Sequence, residues 1–249
     1  MRKALWGYWA LAAAGALAWP PAIIGSFAAP VGTLDVGFAG SGVYALLDGA
    51  PPRVYELNGF SGSIYRSFTL AVPTGARGLT VGNSGPTSYL VVSNSANRYI
   101  YYVTTAGSLQ SSFYCPVGTP YGLGGGLGGG PDYGYLCVAC RDQNRILNLN
   151  RANGSLVSSF AGPASAVVCY DGWLAADGNS NYIYWNYYGS WQALVWMPAR
   201  PTGLDANIQW PTRQLIDAYV ACVNGYVYHI NGYTAVAPAS LGRVKAVFR

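Results

Sequence analysis

Asn97-Arg-Tyr-Ile-Tyr-Tyr-Val103, closed by Gly107-Ser-Leu-Gln-Ser-Ser-Phe113, decides the fold, because the chain writes the same phrase on either side of it. Gly62-Ser-Ile-Tyr-Arg-Ser-Phe68 and Gly154-Ser-Leu-Val-Ser-Ser-Phe160 repeat its second half. Fifteen residues before each phenylalanine stands an arginine, Arg53, Arg98 or Arg145, opening a run rich in Val, Ile, Leu and Tyr. Each copy therefore reads as strand, turn, strand. The shared slot assigns the three arginines one structural task, such as joining neighbouring repeats.

A further apolar run precedes each arginine: Val43 to Leu47, Tyr89 to Val92 and Tyr135 to Ala139. The connections Asp48 to Pro52, Ser93 to Asn97 and Cys140 to Asn144 are built from residues that bond their own backbone or fix φ, as hairpins require. Asp48 and Asp142 fall in these turns, Asp177 falls in the corresponding turn of a later copy, and all three read as caps. Two divergent copies follow, Trp173 to Ala176 with Tyr182 to Trp185, and Tyr219 to Val223 with Tyr226 to Ile230. Anchored on Arg53, Arg98, Arg145, Tyr182 and Tyr226, the spacings are 45, 47, 37 and 44 residues. That is the period of a four-stranded β-propeller blade.

The glycine run Tyr121 to Gly130 invites a phosphate-loop reading, but Pro131-Asp-Tyr-Gly supplies neither the following helix nor the Lys-Ser pair that such a loop needs. Gly122 to Pro131 aligns with Gly78 to Pro86 of the preceding copy. The run therefore reads as an innermost strand and its turn, where missing side chains permit close backbone approach.

At Asn97-Arg98 and Asn144-Arg145, each followed by an apolar strand and then Gly-Ser-Leu and Ser-Ser-Phe, the chain resembles NHL-type and related secreted propeller repeats. The resemblance is best over residues 78 to 160, and the fourth and fifth copies lack the Asn-Arg pair. It implies a propeller scaffold of the kind often used for binding, and no particular ligand.

Five hairpins predict an all-β propeller of five four-stranded blades, with six as the alternative. Ala22 to Phe27 resembles the Ser-Ser-Phe outer strands and is expected to complete the last blade from the other end of the chain. Gly242 to Phe248 is left without a slot in a five-bladed ring.

Only 9% of the 249 residues are charged while 14% are aromatic and 33 are glycine, which suits packed sheet with tight turns and argues against disorder and helix bundles. Arg2 and Lys3 precede an apolar run ending in Ala16-Leu17-Ala18, the pattern of a cleaved signal peptide over residues 1–18. Residues 19–249 are then one propeller domain, secreted or held in the cell envelope or periplasm, with no membrane span after cleavage. The formal charge is +5 with the leader and about +3 without Arg2 and Lys3, too weak to argue for nucleic acid.

Chemistry-bearing residues are few. His229 is the sole histidine, and Cys137-Val-Ala-Cys140 has no second pair to complete four metal ligands. The expectation is a non-enzymatic binding or scaffolding module with no cofactor, whose partner is a protein or glycan at the cell surface. Two other readings are open. Asp35, Asp171 and Asp205 lie in or near inner strands, where converging carboxylates are the donors calcium takes, giving a hydrolase or lyase with an axial Ca2+. Tyr184, Trp185, Tyr187, Tyr188 and Trp191 crowd the fourth copy and are candidate ligand-binding platforms for a lectin-like propeller. Among the five cysteines, Cys115 and Cys140 fall in or beside turns at one end of adjacent blades, and a disulfide between them is expected.

Overall fold

A computed structural model describes residues 21–39, 42–84, 87–125, 135–162, 166–170, 174–187, 190–209 and 214–232. They form twenty strands in five four-stranded antiparallel sheets, with one short 3-10 turn at Arg141–Gln143. The protein is a five-bladed β-propeller.

Blade one is β2 (Thr33–Ala39), β3 (Gly42–Leu47), β4 (Arg53–Asn58) and β5 (Ile64–Thr69). Blade two is β6 (Ala76–Ser84), β7 (Thr87–Asn94), β8 (Tyr99–Thr104) and β9 (Leu109–Tyr114). Blade three is β10 (Pro120–Gly125), β11 (Tyr135–Cys140), β12 (Arg145–Asn150) and β13 (Leu156–Ala161). Blade four is β14 (Ala166–Tyr170), β15 (Leu174–Asp177), β16 (Tyr182–Tyr187) and β17 (Ser190–Trp196). Blade five is β18 (Pro201–Gln209), β19 (Gln214–Cys222) and β20 (Tyr226–Asn231), and its outer strand is β1 (Ala22–Ala28). The ring thus closes through the N-terminal strand, as Ala22 to Phe27 predicts. Gly242 to Phe248 lies outside the described residues, as does the leader. The glycine run enters the inner strand β10 as far as Gly125, and its remainder is also outside them.

The core is a ring of interfaces rather than one central mass. Its buried clusters fall between neighbouring blades: Leu46, Val54 and Leu90 join blades one and two, Leu123, Leu147 and Ile100 join two and three, and Leu174, Ile183 and Leu204 join four and five. Phe27 packs with Val36, Val43, Leu57 and Val227, so the closing strand, otherwise largely exposed, anchors through this one buried side chain against blade one. Between blades three and four the buried residues are small, Cys137, Ala139 and Ala175 beside Ile146, and Phe160 and Trp191 fill the space against them.

The register corrects the arginine slot. Phe68, Phe113 and Phe160 pair with Val54, Ile100 and Ile146, so Arg53 and Arg145 are first in their strands while Arg98 precedes its strand. The turn between β8 and β9 is one residue shorter than its counterparts, and counting back from Phe113 overshoots. Arg98 instead holds the left-handed position at φ 65° that Asn144 holds at φ 48°. Its Nε donates to the Gly118 carbonyl at 2.8 Å, and its guanidinium lies 4.9 Å from the Tyr114 ring centroid.

Candidate ligand-binding site

Every inner strand carries an irregularity at its start. The pairing shifts between Thr33 and Asp35, Ala76 and Gly78, Pro120 and Leu123, Ala166 and Val168, and Pro201 and Gly203. A bulge leaves one residue unpaired and re-aims its side chain. Four residues at these positions, Leu34, Arg77, Tyr121 and Thr202, line one cavity of about 230 Å3. Because inner strands surround the axis, the cavity is the mouth of the channel.

Arg141, just beyond β11, and Arg200, just before β18, also line the cavity. Arg141 is tethered: its Nη2 donates to the Asn179 side-chain oxygen at 3.5 Å, and its guanidinium lies 5.9 Å from the Tyr121 ring centroid. Three cations and no carboxylate are found among the described lining residues, so the mouth is a positive concavity. Two polar atoms here are fully buried without a hydrogen-bond partner, Arg77 Nε and Thr202 Oγ1. A buried polar group left unpaired costs about 1–3 kcal/mol, and Tyr102 Oη, away from this cavity, is unpaired in the same way.

Sequence reading passed over this site. The signal was present: Arg77-Gly78-Leu79, Tyr121-Gly122-Leu123 and Thr202-Gly203-Leu204 repeat one pattern, in which a glycine follows the bulged residue. At Gly78 a β-carbon would overlap the Tyr121 carbonyl of the next blade, and at Gly203 it would overlap the Asp35 carboxylate.

Deeper in the channel the structure brings together two of the three sequence-identified aspartates. Asp35 Oδ2 accepts from the Leu79 amide and Oδ1 from the Val36 amide, both at 2.8 Å. Asp205 Oδ2 accepts from the Phe38 amide at 3.0 Å and from the Thr80 hydroxyl at 3.4 Å, while Oδ1 accepts from the Ala206 amide at 3.0 Å. Each carboxyl thus reaches an amide on the next blade's inner strand. Both are fully buried, and desolvation outweighs these hydrogen bonds: Asp35 is pushed well above the carboxylate range and Asp205 up to about 8. Asp171, the third residue of the axial metal reading, lies outside the described residues.

The aromatics of blade four disperse. Trp185 packs on the side facing blade five and Trp191 on the side facing blade three, where its indole N–H donates to the Ala161 carbonyl at 2.9 Å. The Tyr184 hydroxyl lies 3.4 Å from Ser180 Oγ, four residues back; Asn97 donates to Tyr101 at 2.7 Å and Asn224 to Tyr228 at 2.8 Å over the same interval. Tyr187 ends β16, and Tyr188 lies outside the described residues. His229, on β20, holds Asp217 Oδ1 at 2.9 Å and stacks on Tyr219 at 4.4 Å. Cys115 and Cys140 are free thiols, both donating to the Val117 carbonyl, at 3.3 and 3.2 Å.

No known protein family matches the chain, and no curated protein resembles it in sequence. Its fold is similar to that of Myxococcus xanthus glutaminyl cyclase, with a TM-score of 0.59 and 12% identity over 85% of this chain and 95% of that one. The WD40 β-propeller domain of Doa1 has a TM-score of 0.44 and 12% identity over 80% of this chain and 63% of that one. BBS1N in complex with ARL6DN has a TM-score of 0.44 and 17% identity over 80% and 64%. At such identities the likeness is one of fold alone, and among the described residues no helix is long and apolar enough to cross a membrane.

Proposed function

We propose that this chain is an exported, non-enzymatic repeat propeller of the NHL-like kind that binds a ligand at the mouth of its axial channel. The observation that carries the reading is the cavity itself, which is lined by four residues at the bulged starts of four inner strands together with Arg141 and Arg200. Rigid inner strands hold those residues, which is how a preformed site is built. The channel aspartates face backbone amides instead of the cavity, and burial favours their neutral forms, so they support the scaffold and not a charged catalytic pair. The export reading rests on Arg2, Lys3 and the apolar run that follows.

Thermal-shift screening of the purified chain against small anions, cations, neutral sugars and peptides tests this, with Leu34→Trp as the variant that fills the mouth. A stabilising compound whose effect disappears in Leu34→Trp is expected. A compound that stabilises both forms equally, or measurable turnover that survives Leu34→Trp, would overturn it.

A further inference from the structure

Resting on the reading of the mouth as the binding site, we infer that it takes a small oxyanion: a carboxylate, phosphate or sulfate group, free or at the end of a larger molecule. Arg77, Arg141 and Arg200 all line the cavity, and no carboxylate among the described lining residues balances them. A guanidinium offers donors in a fixed planar fork that matches an oxyanion, and it accepts nothing. A cation would meet three like charges here. A neutral ligand would desolvate them without offering a counter-charge.

The donor inventory points the same way. A guanidinium only donates, and the Thr202 hydroxyl donates as readily as it accepts, so the polar lining residues suit an acceptor-only ligand. Arg141 is already positioned over Tyr121 and toward Asn179, which lowers the cost of ordering it on binding. At about 230 Å3 the cavity is smaller than the roughly 300–1,000 Å3 usual for drug-sized ligands, and fits an anionic head group.

Isothermal titration of the full chain with inorganic phosphate, sulfate and acetate, in chloride buffer at constant ionic strength, tests the inference. Saturable one-to-one binding is expected for at least one anion, weakened about tenfold or more by Arg77→Gln and by Arg200→Gln. Arg53→Gln, an exposed arginine outside the lining, is expected to leave affinity unchanged. If Arg77→Gln does not fold, Arg200→Gln and Arg141→Gln decide. Absence of saturable binding by all three anions, or an equal loss in Arg53→Gln, overturns the inference. A neutral compound whose binding is lost in Leu34→Trp overturns the anion chemistry while leaving the mouth as the site.

Discussion

Gly62, at φ 70°, lies so close to Phe27 that a β-carbon on it would sit 2.6 Å from the ring. The same relationship links Gly154, at φ 72°, to Phe113 one blade back. The repeated glycine and the repeated phenylalanine are thus two halves of one contact between neighbouring blades, and in blade five the N-terminal strand supplies the phenylalanine half as Phe27. Gly62→Ala and Gly154→Ala both demand a left-handed alanine and a displaced ring. Each is expected to cost at least about 2 kcal/mol, read as a lowered urea midpoint.

Phe27 should also report on ring closure. It is 6% exposed, pairs with Val227 and packs against blade one. Phe27→Ala removes a buried ring at the seam, with an expected loss of about 3–5 kcal/mol. Hydrogen exchange distinguishes a seam from an ordinary core site: amides of β1 and β20 should lose protection before those of blade three, whereas uniform loss would deny the seam a special role.

The blade period, the closing strand and the inner-strand status of Asp35 and Asp205 were legible because they depend on local pattern: turn residues, apolar alternation and repeated spacing. Arg98 was misplaced because one residue fewer in the turn between β8 and β9 shifts the count, and a count does not see register. Arg77 and Thr202 were missed for a different reason. A bulge inserts one residue without disturbing the apolar pattern around it, and only pairing partners reveal it. The upward shift of the channel aspartates' pKa likewise depends on burial by blades far apart in sequence.

Asp205 carries a pH signature. A carboxyl in the unfolded chain titrates near 4, and in the fold Asp205 titrates at about 8. Between those values the folded protein holds a proton that the unfolded chain has released, so unfolding sheds a proton and rising pH favours it. Stability is therefore greatest below about pH 4, as far as this group is concerned, and falls toward pH 8 by up to about 1.4 kcal/mol per unit. Asp35, raised by the same burial, adds a contribution of the same sign. Urea unfolding across pH 4–8 should show this decline, and Asp205→Asn should flatten part of it, whatever it does to absolute stability. A stability that rises over this range would contradict the buried neutral acid.

Cys115 and Cys140 make the final prediction. The two thiols both donate to one carbonyl, that of Val117, and the Cys140 S–H can turn to a Cys115 thiolate, which eases ionisation of Cys115 and opposes that of Cys140. Under oxidising conditions two thiols that share one acceptor are expected to join. Both thiols lose a proton and together two electrons, which pass to an oxidised small-molecule disulfide and release it as two thiols. The bridge closes a loop of about 25 residues and is expected to add about 3 kcal/mol in the chain-entropy account. Peptide mapping after incubation with oxidised glutathione should recover Cys115 linked to Cys140, and the oxidised chain should unfold at higher urea than the reduced one. Cys115→Ser should abolish both effects. Recovery of all thiols free, or a crosslink to Cys137 or Cys222, would show that the contact is packing alone.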